Sequence, residues 1–586
     1  MIKHDPNSMR KRKLPPCRAA CPADVNVQAY IALIQQGKFN EAVEVIRRSM
    51  PFPAICGRVC FSPCQDACTR KEIDKPVGVR YLKRLAADIE REQRNKKPEP
   101  ISVSHDKKVA IIGAGPAGLS AAYDLAKRGY PVVVFECMPE AGGMMRYGIP
   151  DYRLQKYVVA KEIMHIQDLG VEIKTNVEFG KDVNFETLRS EGYKAFFVAI
   201  GAQISRKLGV PGEELKGVFY AVEWLRDIAL GKTVDLGEKV IVIGGGNSAI
   251  DAARISLKLG AKKVIVAYRR SRMEMPALPQ EVEAAKKEGV KLNFLISPKR
   301  IIGEGGKVKA IEFLRMKLGK PDASGRRRPV PIQRSEHLYE ANTVIPAIGQ
   351  IVKTAGLPSL LLDKRGLAIT ANLSTLETRM PGVFSGGDSL TGPASVIEAV
   401  KAGKRAAESI DRYFSDRAID RYIDDGDVSN GGKVEVEETT WVKHVDTIIK
   451  KPERYIGSHV DIGRWEASFE EADELLARNK ETAISEARRC LECGPCTECL
   501  GNEKLCDADK AIINEKLCSG CNLCAVICPY AAVKKNDAEI AQVDEDLCKG
   551  CGICSASCPD RAITMKKLPD AQIVAEVETA LRRAAI

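Results

Sequence analysis

From Lys108 to about Tyr413, short β-branched runs alternate with stretches whose apolar residues recur every third or fourth position, the signature of α/β domains. Val109–Ile112, Pro131–Phe135, Val240–Ile243 and Lys263–Ala267 read as strands, and Leu119–Arg128 reads as the helix between the first two. Upstream, the periodicity over Val27–Arg48 and Val79–Arg94 is helical, and Lys96–Ser104, with its two prolines, reads as a linker. Downstream, the polar, glycine-bearing stretch Asp424–Gly432 reads as a second linker. A charged helical stretch follows over Ser468–Arg489, and the C-terminal portion is small, rich in cysteine and internally repeated. A chain of 586 residues exceeds what one core can serve, so several domains are expected.

Two strand-to-helix junctions carry glycine turns. The first is Val109-Ala-Ile-Ile-Gly113-Ala-Gly115-Pro-Ala-Gly118, and the second is Val240-Ile-Val-Ile-Gly244-Gly-Gly246-Asn247-Ser-Ala249. Such glycines allow a tight turn, close approach to a pyrophosphate and helix–strand packing, with the helix N-terminus facing the anion. After the first turn, the next strand ends in Glu136, placed to hydrogen-bond a ribose hydroxyl, which suits the adenosine half of FAD. After the second, the strand ends in Tyr268-Arg269-Arg270, with Arg272 just beyond. Arginines there suit the 2′-phosphate of NADP(H), whereas NAD(H) is the alternative if they are only surface charges.

The twenty cysteines change the picture further. Nineteen fall in groups spanning Cys17–Cys68, Cys490–Cys506 and Cys518–Cys558, while Cys137 stands alone and reads as an inert core thiol. Three-residue spacing suits chelation better than disulfide pairing, and clustered thiolates fit a reducing cytoplasm. The repeat Cys518-x2-Cys521-x2-Cys524-x3-Cys528-Pro, then Cys548-x2-Cys551-x2-Cys554-x3-Cys558-Pro, is that of a two-[4Fe–4S] bacterial-type ferredoxin. In that spacing the fourth cysteine crosses over, giving one cluster Cys518, Cys521, Cys524 and Cys558, and the other Cys548, Cys551, Cys554 and Cys528.

Composition adds limits. An apolar fraction of 45% beside 29% charged residues describes folded globular protein. No apolar run approaches the length of a membrane-spanning helix, and the basic run Arg10–Lys13 lacks the apolar core of a secretory signal. That run reads as a solvated arm, not a nucleic-acid site, and a cytoplasmic protein is expected. The net charge of +12 favours acidic redox partners or phosphate-rich cofactors without naming either.

Residues 17 to about 415 resemble the glutamate synthase small subunit and its relatives, which include the N-terminal half of dihydropyrimidine dehydrogenase and the large subunit of NADH-dependent ferredoxin:NADP⁺ oxidoreductase. The resemblance rests on Cys17-x3-Cys21-Pro, Pro51-Phe-Pro-Ala-Ile-Cys56-Gly-Arg-Val-Cys60, Gly142-Gly143-Met-Met-Arg146-Tyr-Gly-Ile-Pro150-x-Tyr-Arg and Tyr268-Arg-Arg-Ser-Arg-Met-Glu-Met-Pro276, beside the second glycine turn. It implies a FAD domain interrupted by a pyridine-nucleotide domain and resuming after Ala341–Gly349. The second flavin motif would be Gly386-Gly387-Asp388, followed by Ala394 and Ser395 at the start of a helix whose dipole faces the flavin. The fold class is thus multidomain α/β. The expected domains are a helical Fe–S domain (1–100), FAD-binding parts (105–235 and 343–420) around an NAD(P) domain (236–342), a connecting segment (421–510), and an α+β ferredoxin domain (511–586).

The resemblance also implies N-terminal clusters, with two departures. Relatives carry a CxxC pair just before Cys-x3-Cys-Pro, and residues 1–16 hold no cysteine. Ser485-Glu-Ala-Arg-Arg-Cys490-Leu-Glu-Cys493 looks like that piece displaced, so Cys490 and Cys493 would fold back to join Cys17 and Cys68. The alternative is a separate cluster from Cys490, Cys493, Cys496, Cys499 and Cys506. A neighbouring cluster would use Cys21, Cys60 and Cys64, but where relatives place Glu or Gln as fourth ligand this chain has Lys83. One to three clusters are therefore expected beyond the ferredoxin pair. The function implied is an NADP(H)-linked subunit of a hetero-oligomeric oxidoreductase, passing electrons between nicotinamide, FAD and clusters to ferredoxin or partner subunits. An electron-bifurcating transhydrogenase is one version, and electron supply to a dedicated reductase or synthase is the alternative.

Overall fold

The computed structural model describes residues 15–93, 100–322, 325–415, 479–491, 493, 510–528, 532–545, 547–548 and 553–565. They fall into two compact units, one drawn from 1–49, 62–90 and 432–586 and the other from 50–61 and 91–431.

The second unit is built on two parallel sheets. In the first, the strands run in the order Val383–Ser385, Tyr193–Val198, Lys108–Ile112, Val132–Phe135, Glu172–Lys174. Ile111 is in register with Val134 on one side and Phe197 on the other. Val109–Ile112 is buried throughout, because helices cover both faces of a parallel sheet. The helix Pro116–Lys127 follows directly, opened by a proline in its first turn, where the missing N–H costs nothing.

The second sheet has the order Thr343–Pro346, Lys239–Ile243, Lys263–Tyr268, Lys291–Phe294, again parallel. Its closing strand is Thr343–Pro346, where Val344 pairs with Ile241, so the chain leaves this sheet only after Pro346. Val383–Ser385 then rejoins the first sheet beside Tyr193–Val198, which makes the second domain an insertion in the first. An antiparallel sheet that the sequence reading did not anticipate is formed by Ile296–Glu304, Lys307–Pro321, Arg327–Pro331 and His337–Glu340.

In the first unit the expected helix over Val27–Arg48 is two helices, Val27–Gln35 and Phe39–Arg47, separated at Gly37, whose φ of +74° ends the first. Val79–Gln93 is one helix as the periodicity predicts, and Lys480–Ala487 is capped by the Asn479 side chain. The cysteine-rich repeat pairs Ala511–Ile513 with Ile563–Met565, and Val533–Lys535 with Ala541–Val543. Two short helices, Leu523–Ile527 and Ile553–Ser557, complete it. The linker at 424–432 and the half of the charged stretch before residue 479 lie outside the described residues.

Candidate cofactor sites

The first glycine turn is defined by what surrounds each α-carbon. A Cβ on Gly113 (φ +106°) would stand 2.5 Å from the Ala199 carbonyl oxygen, and one on Gly118 would stand 2.0 Å from that of Gly113. A Cβ on Gly115 would meet nothing within 4 Å. Two glycines are therefore needed for packing, while the third opens onto free space at a helix N-terminus, which fits a pyrophosphate. Glu136 is buried at the end of the next strand, with its carboxylate accepting from Ala114 N (2.7 Å) and Met138 N (2.9 Å). Those bonds fix its orientation beside the turn.

Three further segments converge on this turn. Gly142 N donates to Ala114 O (2.8 Å), and Gly143, at φ +51°, would carry a Cβ 2.8 Å from the α-carbon of Gly115. Arg146 is buried, donating to Ala141 O (3.0 Å) and pairing with Glu140 (2.7 Å), so it shapes the loop from within. Gly387 (φ +69°) brings Asp388 against the same helix, its missing Cβ lying 2.9 Å from the Ala117 methyl. Burial pushes the Asp388 carboxyl up to about 7, against the pull of the Ala394 N–H at 3.1 Å and with help from Glu398. Ser395 and Glu398 form a capping box at the start of the helix Val396–Phe414. Gly403 lets that helix cross tightly, since a Cβ there would stand 2.2 Å from Ala117 O.

The second turn repeats the logic. A Cβ on Gly244 would lie 2.3 Å from Ala347 O and one on Gly245 would enter the Tyr268 ring, whereas Gly246 again faces open space. Ala249 is fully buried under the turn, and Asn247 accepts from Leu278 N at 3.0 Å. The two arginines of the following strand separate in role. Arg269 is exposed; burial of part of its guanidinium and the adjacent charges of Arg270 and Arg326 lower its pKa. Arg270 is buried, donating to Asp322 (2.7 Å) and to Arg327 O (2.9 Å). The expected Arg269–Arg270 pair is thus one outward cation and one inward strut, because the antiparallel hairpin supplies Asp322.

A buried network links the two domains of this unit. Asp251, on the helix Asn247–Lys258, accepts from Tyr152 Oη (2.9 Å) and Arg153 (2.8 Å). Arg254 on the same helix lies over the Tyr152 ring and pairs with Glu281 (2.7 Å). Sequence reasoning quoted Tyr152 and Arg153 as motif residues and missed their partner. An aspartate one helical turn beyond the glycine turn was the available signal.

The cysteines are distributed as follows. Cys17 lies in the short helix Pro16–Ala19, Cys21 follows it, and Cys64 sits in Pro63–Asp66 ahead of Cys68. Cys56 and Cys60 are buried on and just after the helix Pro53–Val59, and Lys83 is buried on Val79–Gln93. One small cavity is lined by Cys17, Cys68, Cys490 and Cys493 with Val27, Ile31 and Val79. Burial raises the Cys17 thiol far above its usual range, and Cys490, Cys64, Cys493 and Cys68 push it the same way. Cys496, Cys499, Cys506 and Cys551 lie outside the described residues. Cys137 is corrected: the residue is exposed, because the chain leaves its strand at Phe135, and its thiol donates to the Glu136 carboxylate (3.5 Å).

In the repeat, Cys524, Cys528, Cys548 and Cys554 are buried in one cluster, with Cys518 and Cys558 packed against it. Burial raises the Cys524 thiol, with Cys518 and Cys521 adding to the effect. The two halves match: Cys528 Sγ accepts from Ala532 N and Cys558 Sγ from Ala562 N, each at 3.3 Å. Such N–H···S bonds stabilise negative sulfur. Among the described residues no three His, Cys, Asp or Glu side chains converge as ligands of a single ion. A cubane differs in placing each thiolate on its own iron.

Residues 107–403 match the family model for pyridine nucleotide-disulphide oxidoreductases. The chain belongs to that family. Within this oxidoreductase, residues 10–95 match the model for dihydropyrimidine dehydrogenase domain II with its 4Fe-4S cluster, and residues 511–565 that for a 4Fe-4S dicluster domain. It is 40% identical over 515 residues to the NADP(+)-dependent formate dehydrogenase subunit beta of Moorella thermoacetica, covering 82% of this chain and 70% of that one. It is 40% identical over 432 residues to the NADPH-Fe(3+) oxidoreductase subunit beta of Geobacter sulfurreducens, covering 68% of this chain and 64% of that one, so it spans just under two thirds of that subunit. The glutamate synthase [NADPH] small chain of Escherichia coli is 35% identical over 416 residues, with 68% of this chain and 88% of that one covered. Among the described residues of the oxidoreductase no helix is long and apolar enough to cross a membrane.

Proposed function

We propose that this oxidoreductase is the NADP(H)- and FAD-binding electron-transfer subunit of a multi-subunit enzyme, exchanging electrons with partner redox subunits or ferredoxin through [4Fe–4S] clusters. The observation that carries the reading is the pair of glycine turns on separate sheets, each with its middle glycine open at a helix N-terminus, in a chain that also holds the cysteine repeat. Gly113, Gly115, Gly118 and Glu136 would hold the adenosine pyrophosphate of FAD, with Gly143 and Asp388 closing the site. Gly244, Gly246, Asn247 and Ala249 would hold the nicotinamide dinucleotide, with Arg269 at its 2′-phosphate. A bound flavin supplies the conversion between hydride pairs and single electrons. The protein's own residues do the positioning: the glycine turns admit the pyrophosphates, and the Tyr152–Arg153–Asp251 network holds the nucleotide helix against the flavin domain.

The names of the relatives support a subunit role, since two are beta subunits and one a small chain. The terminal repeat at 511–565 favours delivery through a ferredoxin-type relay over a glutamate-synthase-like arrangement. Bifurcation within such an assembly belongs to the same reading, with ferredoxin as one of two acceptors. The test is anaerobic purification of the full chain with whatever accompanies it, analysis for iron, sulfide and flavin, and titration of the flavin absorbance with NADPH and NADH. Bleaching by NADPH at lower concentration than by NADH is expected. Colourless protein after reconstitution, with neither flavin nor iron, would sink the proposal.

A further inference from the structure

Cys17 and Cys68 belong to the N-terminal helical segment, and Cys490 and Cys493 lie more than 400 residues further along, yet the four line one cavity. Groups other than thiols bring the distal pair there. Gln35 Nε2 donates to Ala487 O (2.9 Å), and Gly78 N donates to the Glu486 carboxylate (2.7 Å). Arg489 bonds Glu486 (2.7 Å), Asp74 (3.0 Å) and Lys75 O (2.6 Å). Ala483 and Ala487 are buried on the docked face of the helix. The segment is thus held at its buried face and at its C-terminal turn, and Cys490 follows immediately with no freedom to wander.

The rest of the lining is mainly aliphatic, with Val27, Ile31, Val77, Val79 and Leu491, and it is completed by Pro15, Pro16, Gln28, Thr69 and Arg70. One cation cannot balance four thiolates in such a recess, and four thiols gathered there, none in a disulfide, suit one polynuclear centre that neutralises them together. Ligands spread round a cavity suit a cubane, which binds each thiolate through a separate iron.

We infer that Cys17, Cys68, Cys490 and Cys493 together ligate one [4Fe–4S] cluster, so that the N-terminal helical segment and the segment after the helix Lys480–Ala487 are clasped through iron. The assignment rests on the reading of the protein as an iron–sulfur electron carrier and deepens it. On transfer of a preformed [4Fe–4S] cluster from a thiolate carrier, each Sγ–H bond breaks as an Fe–S bond forms, the carrier thiolate leaves that iron and takes up the proton, and no atom changes oxidation state. The clasp has a consequence for the relay. Sixteen residues separate Cys493 from Lys510 at the start of the terminal repeat. At about 3.3–3.6 Å per residue, anchoring Cys493 keeps the start of the repeat within about 60 Å of the cluster. A shorter tether raises the local concentration of the terminal clusters near the N-terminal one.

The test uses the full chain, purified and reconstituted anaerobically, with iron and acid-labile sulfide counted per chain and reactive thiols mapped by alkylation. The variants are Cys17→Ala, the pair Cys490→Ala with Cys493→Ala, their combination, and a control carrying Cys496→Ala, Cys499→Ala and Cys506→Ala. Cys17→Ala and the 490/493 pair are each expected to lose the same four irons and four sulfides, with no further loss in the combination. Cys17→Ala should also open Cys490 and Cys493 to alkylation, and the control should keep the full iron content. Full iron in the 490/493 pair, a loss of four irons in the control, or additive losses in the combination would overturn the assignment. Flavin content and NADPH bleaching on the same samples report separately on the proposed function.

Discussion

Replacing Arg269 by alanine should remove most of the preference for NADPH over NADH while leaving reduction by NADH nearly unchanged. The side chain is exposed at the end of the strand after the second glycine turn, and Arg270 and Arg326 are close enough to weaken its hold on its proton. It stays charged at neutral pH, as guanidinium groups do. Crowded cations of this kind gain when an anion settles among them, so a 2′-phosphate relieves repulsion as well as forming a hydrogen bond. A hydrogen bond to a charged group is worth about 1.5–3 kcal/mol, which is a factor of roughly 10 to 150 in kcat/KM for NADPH. NADH has no phosphate at that position and should change by less than about threefold.

Arg270→Ala is the internal comparison. Arg270 is buried on Asp322 and the Arg327 carbonyl, so its loss loosens the hairpin and should weaken NADPH binding less than Arg269→Ala does. The assay is anaerobic stopped-flow bleaching of the flavin over a range of each nucleotide. Equal slowing with both nucleotides in Arg269→Ala, or loss of preference in Arg270→Ala alone, would refute the division of labour between the two arginines.

Asp388→Asn should alter the pH dependence of stability in flavin-free protein. With its pKa raised from 3.8 to about 7, the folded state holds a proton that the unfolded state releases, so stability falls as pH rises through roughly 4 to 7. The asparagine variant should match wild type in urea melts near pH 4 and exceed it by up to about 4 kcal/mol at pH 8.5; parallel pH curves would contradict this. Gly403→Ala puts a methyl against the Ala117 carbonyl and should cost about 1–3 kcal/mol, read as flavin release at lower temperature. Asp251→Ala takes from Arg153 its 2.8 Å partner and leaves it Glu281 at 3.3 Å, so it should cost about 1–3 kcal/mol, measured as faster hydrogen exchange in the helix Asn247–Lys258; no change in exchange would contradict a stabilising ion pair there.

Features carried by short spacings were legible before any coordinates. The strand–turn–helix units at Gly113 and Gly244 announce themselves because the glycines that packing requires and the glycine that the ligand requires lie within a few residues. The cysteine repeat is legible for the same reason. Where the deciding partner lies far along the chain, the sequence reading had no access to it. The sequence groups Arg270 with Arg269 as a phosphate ligand because nothing nearby signals Asp322, some fifty residues on and across a hairpin, to which Arg270 donates. The antiparallel sheet was overlooked although Val308, Ile311, Phe313 and Met316 are buried among lysines and glutamates, a pattern that a bulge in the register breaks out of strict alternation. Cys137 reads as a core thiol because it stands apart from the cysteine groups, yet its place two residues past the strand end leaves it exposed.

The two nucleotide turns are connected by one short segment. Gly143 lies against Gly115, so the loop that begins there is anchored on the first turn. Ten residues later the same loop delivers Tyr152 and Arg153 to Asp251, on the helix that springs from the second turn. Burial raises the Asp251 carboxyl to about 6 despite the adjacent guanidinium, so the contact is costly to make and is held by paired, well-directed hydrogen bonds. A surface linkage would hold the domains together at lower cost but would leave their orientation loose. A buried charged junction tolerates few geometries, and hydride transfer between two bound cofactors needs the reacting atoms about 3–3.5 Å apart. The motif from Gly142 to Arg153 is therefore best understood as a single gauge, one end seated on the flavin turn and the other on the nucleotide helix.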